Sequence, residues 1–554
     1  MRSFFITFRT SLRRCATGLL CAAVAIQVYG CTRVSTSGGS PSGGNRSTVH
    51  GVVRVAIKAE PNTLDPVTSG LVQETYVETA IFDGLLQYDS REQLVPDLAM
   101  VVPTQQNGGI SKDGKTIVFH LRHGVRWQDG QPFTSADVAF TYELYINPKT
   151  NGFYRQTYRR ITRIDTPDQY TAVLHLTEPY APALYRFFLR GGGGYVVPRH
   201  VLERSADVNT DRFNQSPLGT GPFRLVRWDH GAQILLEANP EYFAGAPRIK
   251  AIHLMIVADP NTALSQLASH EMDVVTDLTP SQYTSIKQMN GLRSFLVPTY
   301  YERFLTYNAR RAPFDDPRVR RALALALDRR HIGDTAYAGT AVLADSLIPP
   351  YSWAYTNDNA APHYDPQAAK ALLQAAGWTM GADHAWHKNG RTLSFSLLNQ
   401  PESHALTTMA VEIQRAWQQL GIDVAIQQVA RNVIYGSPGL AYSGRFDVLL
   451  DDWSADTDPD RTHITAAAEI APRGFNNSFF ADPEVDRLSE LAMLTYDQTR
   501  RAALYTQIQR RLNQDLPYVP LVWEQRIYAV NTDLRGFAPE PIYSDFWNVQ
   551  DWQI

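Results

Sequence analysis

Gly109-Ile110-Ser111-Lys112-Asp113-Gly114-Lys115-Thr116 runs directly into Ile117-Val118-Phe119-His120-Leu121-Arg122. The opening stretch matches the phosphate-cradling pattern GxxxxGK[ST] letter for letter. That loop holds phosphate only between a buried strand and a helix whose N-terminus faces the anion. Here Val102 to Asn107 does not read as a buried strand. Thr116 to Arg122 alternates Ile117, Phe119 and Leu121 with other residues, the period of a strand rather than a helix. Lys112-Asp113-Gly114 therefore predicts the turn of a β-hairpin, and the chain reads as a mixed α/β protein with no nucleotide site at this position.

The same alternation marks further strands at Val52 to Ile57, Ile234 to Glu237, Ala251 to Val257, Phe304 to Asn308, Leu393 to Leu398, Val424 to Val429 and Phe446 to Leu450. Helices in the second half carry plain start and stop signals. Asp316-Pro317 supplies an N-cap and a first-turn proline, followed by an apolar stripe of Val319, Ala322, Leu323, Ala326 and Leu327. Asp365-Pro366 repeats the device, with Ala369, Leu372, Leu373 and Ala376 inward and Gly377 as the stop. Ala405 to Leu420 forms a third helix, and Asp482-Pro483 starts a fourth.

All three cysteines, Cys15, Cys21 and Cys31, fall in the first segment of the chain, so the fold is expected to need no disulfide. Arg2, Arg9, Arg13 and Arg14 precede an apolar run from Cys15 to Val28, the make-up of a secretory signal over residues 1–30. The run is shorter than the roughly 20 apolar residues that cross a bilayer. Val28-Tyr29-Gly30-Cys31 resembles a bacterial lipobox, which makes Cys31 the expected lipidation site; plain signal cleavage is the alternative. Residues 31–50, rich in Gly, Ser and Thr, read as a flexible tether. Removing the four leader arginines from 52 basic residues leaves 48 against 55 acidic ones, a net charge near −7. No basic footprint for nucleic acid is present. A body of about 500 residues exceeds what one core organises, so two or three lobes are expected.

Other tempting patterns fail on their own chemistry. Asp456, Asp458 and Asp460 have the spacing of a calcium loop, but Arg461 stands where glycine is needed and Ala467 where a bidentate glutamate is needed. His384 and His387 lack the His-Glu-x-x-His pattern of a zinc hydrolase. Gly191 to Gly194 has no lysine or following helix and reads as a loop. No Gly-x-Ser-x-Gly elbow occurs, and no thiol lies beyond Cys31. No cofactor or metal is implied, and binding is favoured over chemistry.

A longer set of segments occurs in order along residues 51 to 554. It comprises Glu60-Pro61-Asn62-Thr63-Leu64-Asp65-Pro66, Ile81-Phe82-Asp83-Gly84-Leu85-Leu86, Val95-Pro96-Asp97-Leu98-Ala99 and Phe119 through Trp127. Gly219-Thr220-Gly221-Pro222-Phe223, Asn239-Pro240-Glu241-Tyr242-Phe243, Pro313 through Arg320 and Trp453-Ser454-Ala455-Asp456 follow. Together they resemble the extracytoplasmic solute-binding proteins of peptide-type ABC importers, solute-binding protein family 5, whose members take dipeptides, oligopeptides or nickel. The resemblance implies a two-lobed, hinged α/β periplasmic-binding-protein fold, type II-like, with an extra inserted subdomain. It places lobe I at 51–296 plus 520–554, the subdomain at about 83–199, lobe II at 297–519, and the crossovers near Pro298 and Val519.

The resemblance also implies a site. Asp456, three residues after Trp453, takes the place of the aspartate that pairs with a peptide's α-ammonium. Such an ammonium is charged at neutral pH, its free pKa being about 8. Main-chain pairing with the ligand falls to Ser69, Gly70 and Leu71 on one side and to Asp452, Ser454 and Ala455 on the other. Tyr154 falls beside the ligand, and His404 near the ligand carboxylate. Asp452 departs from the family's small residue, with a carboxylate expected to crowd the cleft or favour a cationic ligand. No arginine matches a carboxylate-binding position, so ligand length stays open. The function implied is that of a monomeric, membrane-anchored lipoprotein on the periplasmic or cell-surface side. It captures peptides and delivers them to ABC importer permease subunits, with no enzymatic step. Two alternatives remain: a family member that binds an oligosaccharide, nickel chelate or opine, and an extracytoplasmic hydrolase using paired carboxylates.

Overall fold

The computed structural model describes residues 47–554 except 193, 359, 437 and 541–544. The expected signal segment, Cys31 and most of the tether lie outside the described residues. Among the described residues no helix is long and apolar enough to cross a membrane.

The first half of the chain carries β1 (Val52–Ile57), α1 (Val72–Ile81), β2 (Thr116–His120), α2 (Ser135–Ile146), β3 (Ile161–Asp168), β4 (Thr171–Leu176), β5 (Phe223–Asp229), β6 (Gln233–Ala238), β7 (Ala251–Ile256) and β8 (Val274–Val275). The second half carries β9 (Leu292–Tyr307), α3 (Pro317–Leu325), α4 (Pro366–Ala375), β10 (Ser394–Asn399), α5 (His404–Gln419), β11 (Asp423–Gln428) and β12 (Val448–Ser454). It closes with α6 (Pro483–Leu494), α7 (Gln498–Asp515) and β13 (Tyr518–Asn531).

The helix starts behave as their sequences dictate. Asp316 accepts from the Arg318 amide at 2.9 Å, Asp365 from Gln367 and Ala368 at 3.1 and 2.9 Å, and Asp482 from Glu484 at 2.8 Å. Each satisfies amides that the first helical turn leaves unpaired. The phosphate-loop mimic is a turn: the Ser111 amide donates to the Thr116 carbonyl at 2.9 Å, Gly114 takes a positive φ of 69°, and the chain enters β2. β2 then pairs antiparallel with β4, which pairs with β3.

One large sheet runs in the order β11-β10-β12-β9-β13-β8-β1-β7-β6-β5. Its middle is the long antiparallel ribbon of β9 and β13, whose register shifts between Pro298 and Glu302. Sequence alternation finds only the C-terminal end of β9. Residues 292–303 contain Pro298, Glu302 and Arg303, which break a strand pattern, and the ladder tolerates the proline at its irregularity. On one side of the shift, α3, α4 and α5 cover the sheet around Leu323, Leu373, Ile413 and Trp417. On the other, the core joins Val53, Val55 and Leu254 to Phe119 of β2, Trp127 of the segment after it and Tyr145 of α2. The two largest cores thus flank the shift in the ribbon, the arrangement of a two-lobed α/β fold.

Strand direction fixes where the lobes meet. β9 runs from the first core into the second, and β1, antiparallel to β13 through β8, runs the same way. β12 runs oppositely, with Ser454 opposite Tyr301, and β10 is parallel to β12. The carboxyl ends of β1 on one lobe and of β10 and β12 on the other therefore point at the same seam. In open α/β sheets ligands bind outside the carboxyl ends of the strands.

Several motif residues serve the fold. Arg190, buried, lies 3.2 Å from Asp83, which also accepts from Thr220 at 2.7 Å and Tyr242 at 3.1 Å. The Gly84 amide donates to Asp97 at 3.0 Å. A Cβ on Gly84 would stand 2.5 Å from the Arg190 nitrogen, and one on Gly219 1.9 Å from the Ile81 carbonyl oxygen, so only glycine fits either place.

Candidate functional site in the seam between the lobes

β12 delivers the second-lobe half of the site. Its residues Val448, Leu449 and Leu450 are fully buried, and the strand then turns acidic and aromatic at Asp451-Asp452-Trp453. The Ala455 amide donates to the Tyr300 carbonyl at 2.7 Å, extending the pairing one residue past the strand. Ser454 is exposed, and Trp453 is half-buried against His463 and Phe475 at ring distances of 4.9 and 5.1 Å. Burial, followed by the charges of Arg461 and Arg186, lowers the His463 pKa to about 3, so that imidazole is neutral.

Asp456 lies just beyond. Its Oδ2 forms an ion pair with the Arg186 guanidinium, and its Oδ1 accepts from the Thr457 amide at 2.8 Å. Arg186 closes the short helix Ala183–Arg186, whose Ala183 and Leu184 belong to the first core, so the pair ties that core to the segment after β12. The two side chains keep 26% and 21% of their exposure. Burial opposes the guanidinium's charge, but Asp456 and its neighbouring acids outweigh it and hold the Arg186 pKa above its ordinary value. Tyr88 and Thr457 share a hydroxyl hydrogen bond across the same seam, and the Tyr300 hydroxyl donates to Glu92 at 2.6 Å. The Ala181 amide donates to the Met493 carbonyl at 2.7 Å.

The other acids of the segment have separate partners. Asp458 takes a bidentate pair from Arg501 at 2.8 and 3.0 Å, and Asp460 accepts from the Thr462 amide at 3.0 Å. The three carboxylates therefore do not converge as a calcium cage does. Asp452 is spent inward. It accepts from Arg303 at 2.7 Å, from Arg431 at 3.0 Å and from Gln400 at 3.2 Å. Its buried carboxylate is held by the sheet neighbour Arg303, and it lines a cavity beside Trp453.

The first-lobe residues gather after β1. Ser69 is buried, while Gly70 and Leu71 are exposed. The amides of Gly70 and Leu71 both donate to Glu74, at 2.7 and 2.8 Å, as the cap of α1. Phe153 lies against Gly70, and the half-buried Tyr154 stacks edge-on to Phe153 and Tyr145 at 5.1 and 6.0 Å. Ser69, Gly70, Leu71 and Tyr154 thus form one group on the first lobe. His404 is exposed in the first turn of α5, which follows the carboxyl end of β10 and so shares its edge with Gln400 and Asp452. The sequence reading missed Arg186 and Arg303. Asp451-Asp452 directly after the apolar Val448-Leu449-Leu450 was the available signal, since buried acids demand cationic partners.

The family model described as bacterial extracellular solute-binding proteins, family 5 Middle, matches residues 93–468. The chain belongs to this family. Protein XP55 of Streptomyces lividans is 30% identical over 521 residues, covering 94% of this chain and 92% of that one. The oligopeptide-binding protein AppA of Bacillus subtilis (strain 168) is 26% identical over 509 residues, covering 89% and 90%. The structure of B. subtilis AppA in complex with a nonapeptide superposes with a TM-score of 0.69 at 25% identity, covering 90% of this chain and 98% of that one. NikZ from Campylobacter jejuni in complex with Ni(L-His) gives 0.73 at 25% identity, covering 92% and 100%. As a family 5 protein this chain is an extracytoplasmic solute-binding protein of the peptide-type ABC importer class and not an enzyme, which removes the hydrolase reading.

Proposed function

We propose that this family 5 protein captures peptides in the seam between its lobes and hands them to the permease subunits of an ABC importer. Lobe I comprises 51–296 plus 520–554, with its subdomain at about 83–199, and lobe II comprises 297–519. The signal at 1–30 is removed, and lipid on Cys31, followed by the tether over 31–50, holds the monomeric protein to the membrane. Asp456 receives the peptide's α-ammonium. Ser69, Gly70 and Leu71 with Tyr154, and Asp452, Ser454 and Ala455 beside Trp453, border the peptide main chain, with His404 toward its carboxylate. Closing the lobes excludes water, and the importer reads the closed form.

One observation carries this reading: the seam already stabilises a cation on Asp456, in the form of Arg186. An ammonium that shares or displaces that guanidinium meets a carboxylate placed for it. The peptide relatives agree, B. subtilis AppA being named for oligopeptides. The same ion pair supports a second reading. Asp456 is already neutralised, as suits a solute without an ammonium, such as the chelate held by NikZ.

Calorimetry with an alanine-rich hexapeptide and its N-acetylated form separates the two. A hydrogen bond to a charged group is worth about 1.5–3 kcal/mol, or roughly tenfold to hundredfold in affinity. The expected result is that both acetylation and Asp456→Asn weaken binding by that factor. Equal affinity for the two peptides, unchanged by the substitution, would remove Asp456 as the anchor.

A further inference from the structure

Beside Trp453 the second lobe contains a cavity of about 260 Å³. Tyr435, Tyr442, Trp453 and Phe475 supply aromatic walls, and Asp451, Asp452, Asn477 and Arg431 supply charged and polar lining. Tyr442 and Trp453 are half-buried and Phe475 is exposed, so the aromatic side forms the mouth. Asp451 is buried. Its Oδ1 accepts from the Tyr435 hydroxyl and from the Asp452 amide, and its Oδ2 accepts from Thr306 at 3.2 Å. Asn477 is 5% exposed, and its Oδ1 is a buried acceptor with no partner among the described residues. A buried acceptor left unmatched costs about 1–3 kcal/mol, which a donor entering the cavity would recover.

The charge balance selects the kind of donor. Arg431 also lines the cavity, but its Nη1 is bound to both oxygens of Asp452, and its guanidinium lies 5.0 Å from the Tyr435 ring centre. Arg303 is shared by Asp452 and Glu524, at 2.7 and 2.6 Å. Glu302 and Arg461, behind Trp453, neutralise each other. Two arginines thus face three acids, Asp451, Asp452 and Glu524, and burial, with repulsion from Asp452, pushes Asp451 up to about 7, so a cation entering the cavity would restore its charge. Aromatic faces around a carboxylate favour a cation, because the ring quadrupole adds to the charge attraction.

We infer that this cavity is a subsite for a lysine or arginine side chain of the captured peptide, held between the Asp451 carboxylate and the Asn477 amide oxygen and enclosed by Trp453, Phe475 and the two tyrosines. The inference rests on the peptide reading. Asp451 and Trp453 alternate on one face of β12, and the strand leads directly to Asp456. At about 3.3 Å per residue the two acids are at most roughly 17 Å apart along the chain, within the span of an extended peptide of about five residues.

The test uses the full protein and hexa-alanine peptides carrying one Lys, Leu or Glu at each position in turn, titrated calorimetrically. At one position Lys is expected to bind at least tenfold more tightly than Leu or Glu. Within Asp451→Asn and within Asn477→Leu, the Lys-to-Leu ratio should fall below threefold. If alanine peptides bind but no position prefers Lys, or if both variants keep the preference, the subsite is overturned and peptide capture stands. If no peptide binds, the peptide reading fails, and crystals soaked in n-butylguanidinium then decide the cavity alone. Density for the cation between Asp451 and Asn477 would support it, and an empty cavity would overturn it.

Discussion

At Asp456 one carboxylate has two claimants. Arg186 holds it across the seam, and a peptide ammonium would need the same oxygens. The pair keeps about a quarter of its exposure, so its worth is discounted toward that of a surface pair, roughly 0–1 kcal/mol. Displacing it therefore costs a ligand little, whereas leaving Asp456 unpaired in a closed seam would cost more. Arg186→Gln is expected to tighten binding of a free-ammonium peptide by up to about fivefold and to leave its N-acetylated form unchanged, read by calorimetry. Weaker binding of both forms would mean that Arg186 touches the ligand itself. The Trp453-Ser454-Ala455-Asp456 order singles out Asp456 in the sequence. Arg186 is not singled out, because an ion pair between residues 270 positions apart leaves no trace in local spacing.

Among the elements, β12 shows how an acid-rich strand end is kept in a sheet. Val448 to Leu450 are buried as a central strand requires, and Asp452 follows with its charge cancelled by Arg303 directly across the ladder and by Arg431 from the short helix Arg431–Tyr435. Removing one partner of a buried pair leaves the other uncompensated. Asp452→Ala strands Arg303 with Glu524 alone, and a loss of about 3 kcal/mol in stability is expected from urea unfolding, with a lowered midpoint and an unchanged slope. A loss below 1 kcal/mol would show that Glu524 suffices. The Asp-Pro helix starts were legible, since capping and proline geometry are local. So was the hairpin at Lys112-Asp113-Gly114, where the strand after the turn excluded the phosphate loop. The ribbon was less legible. Tyr518–Asn531 and most of Leu292–Tyr307 owe their strand state to each other over more than 200 positions, and Pro298 hides the second from any alternation rule. Gln498–Asp515 was missed for a related reason. Its inward positions include Arg501, Gln509 and Asn513, and their partners, Asp458 for the first and Ser346 for the second, lie far off in the chain.

Across the whole molecule the first-lobe side of the seam is built on buried acids, and that sets a pH dependence. Glu78 and Asp65 are fully buried behind Ser69. Burial, above all, pushes Glu78 up to about 8, with Glu74 and Asp65 adding repulsion and the Ser69 hydroxyl opposing it. Burial likewise pushes Asp65 up to about 7, against hydrogen bonds from the Val67 amide and Thr68. An unfolded chain ionises both groups near pH 4. Between about pH 4 and pH 8 the folded protein therefore carries more protons than the unfolded one, and unfolding free energy falls as pH rises through that window. Below it both states are protonated and the dependence vanishes; above it both are ionised and the loss is complete. Tm, followed by circular dichroism, is expected to be higher at pH 5.5 than at pH 8. Glu78→Gln, which keeps the shape and removes the titration, should flatten that difference and raise Tm most at pH 8. A Tm that climbs from pH 5.5 to pH 8, with the substitution without effect on the slope, would show that these buried acids do not set the pH dependence. Because Ser69 bridges Glu78 to the proposed ligand edge, the same ionisation should loosen that edge, so peptide affinity is expected to fall with Tm over the same interval in the wild type and to level in Glu78→Gln.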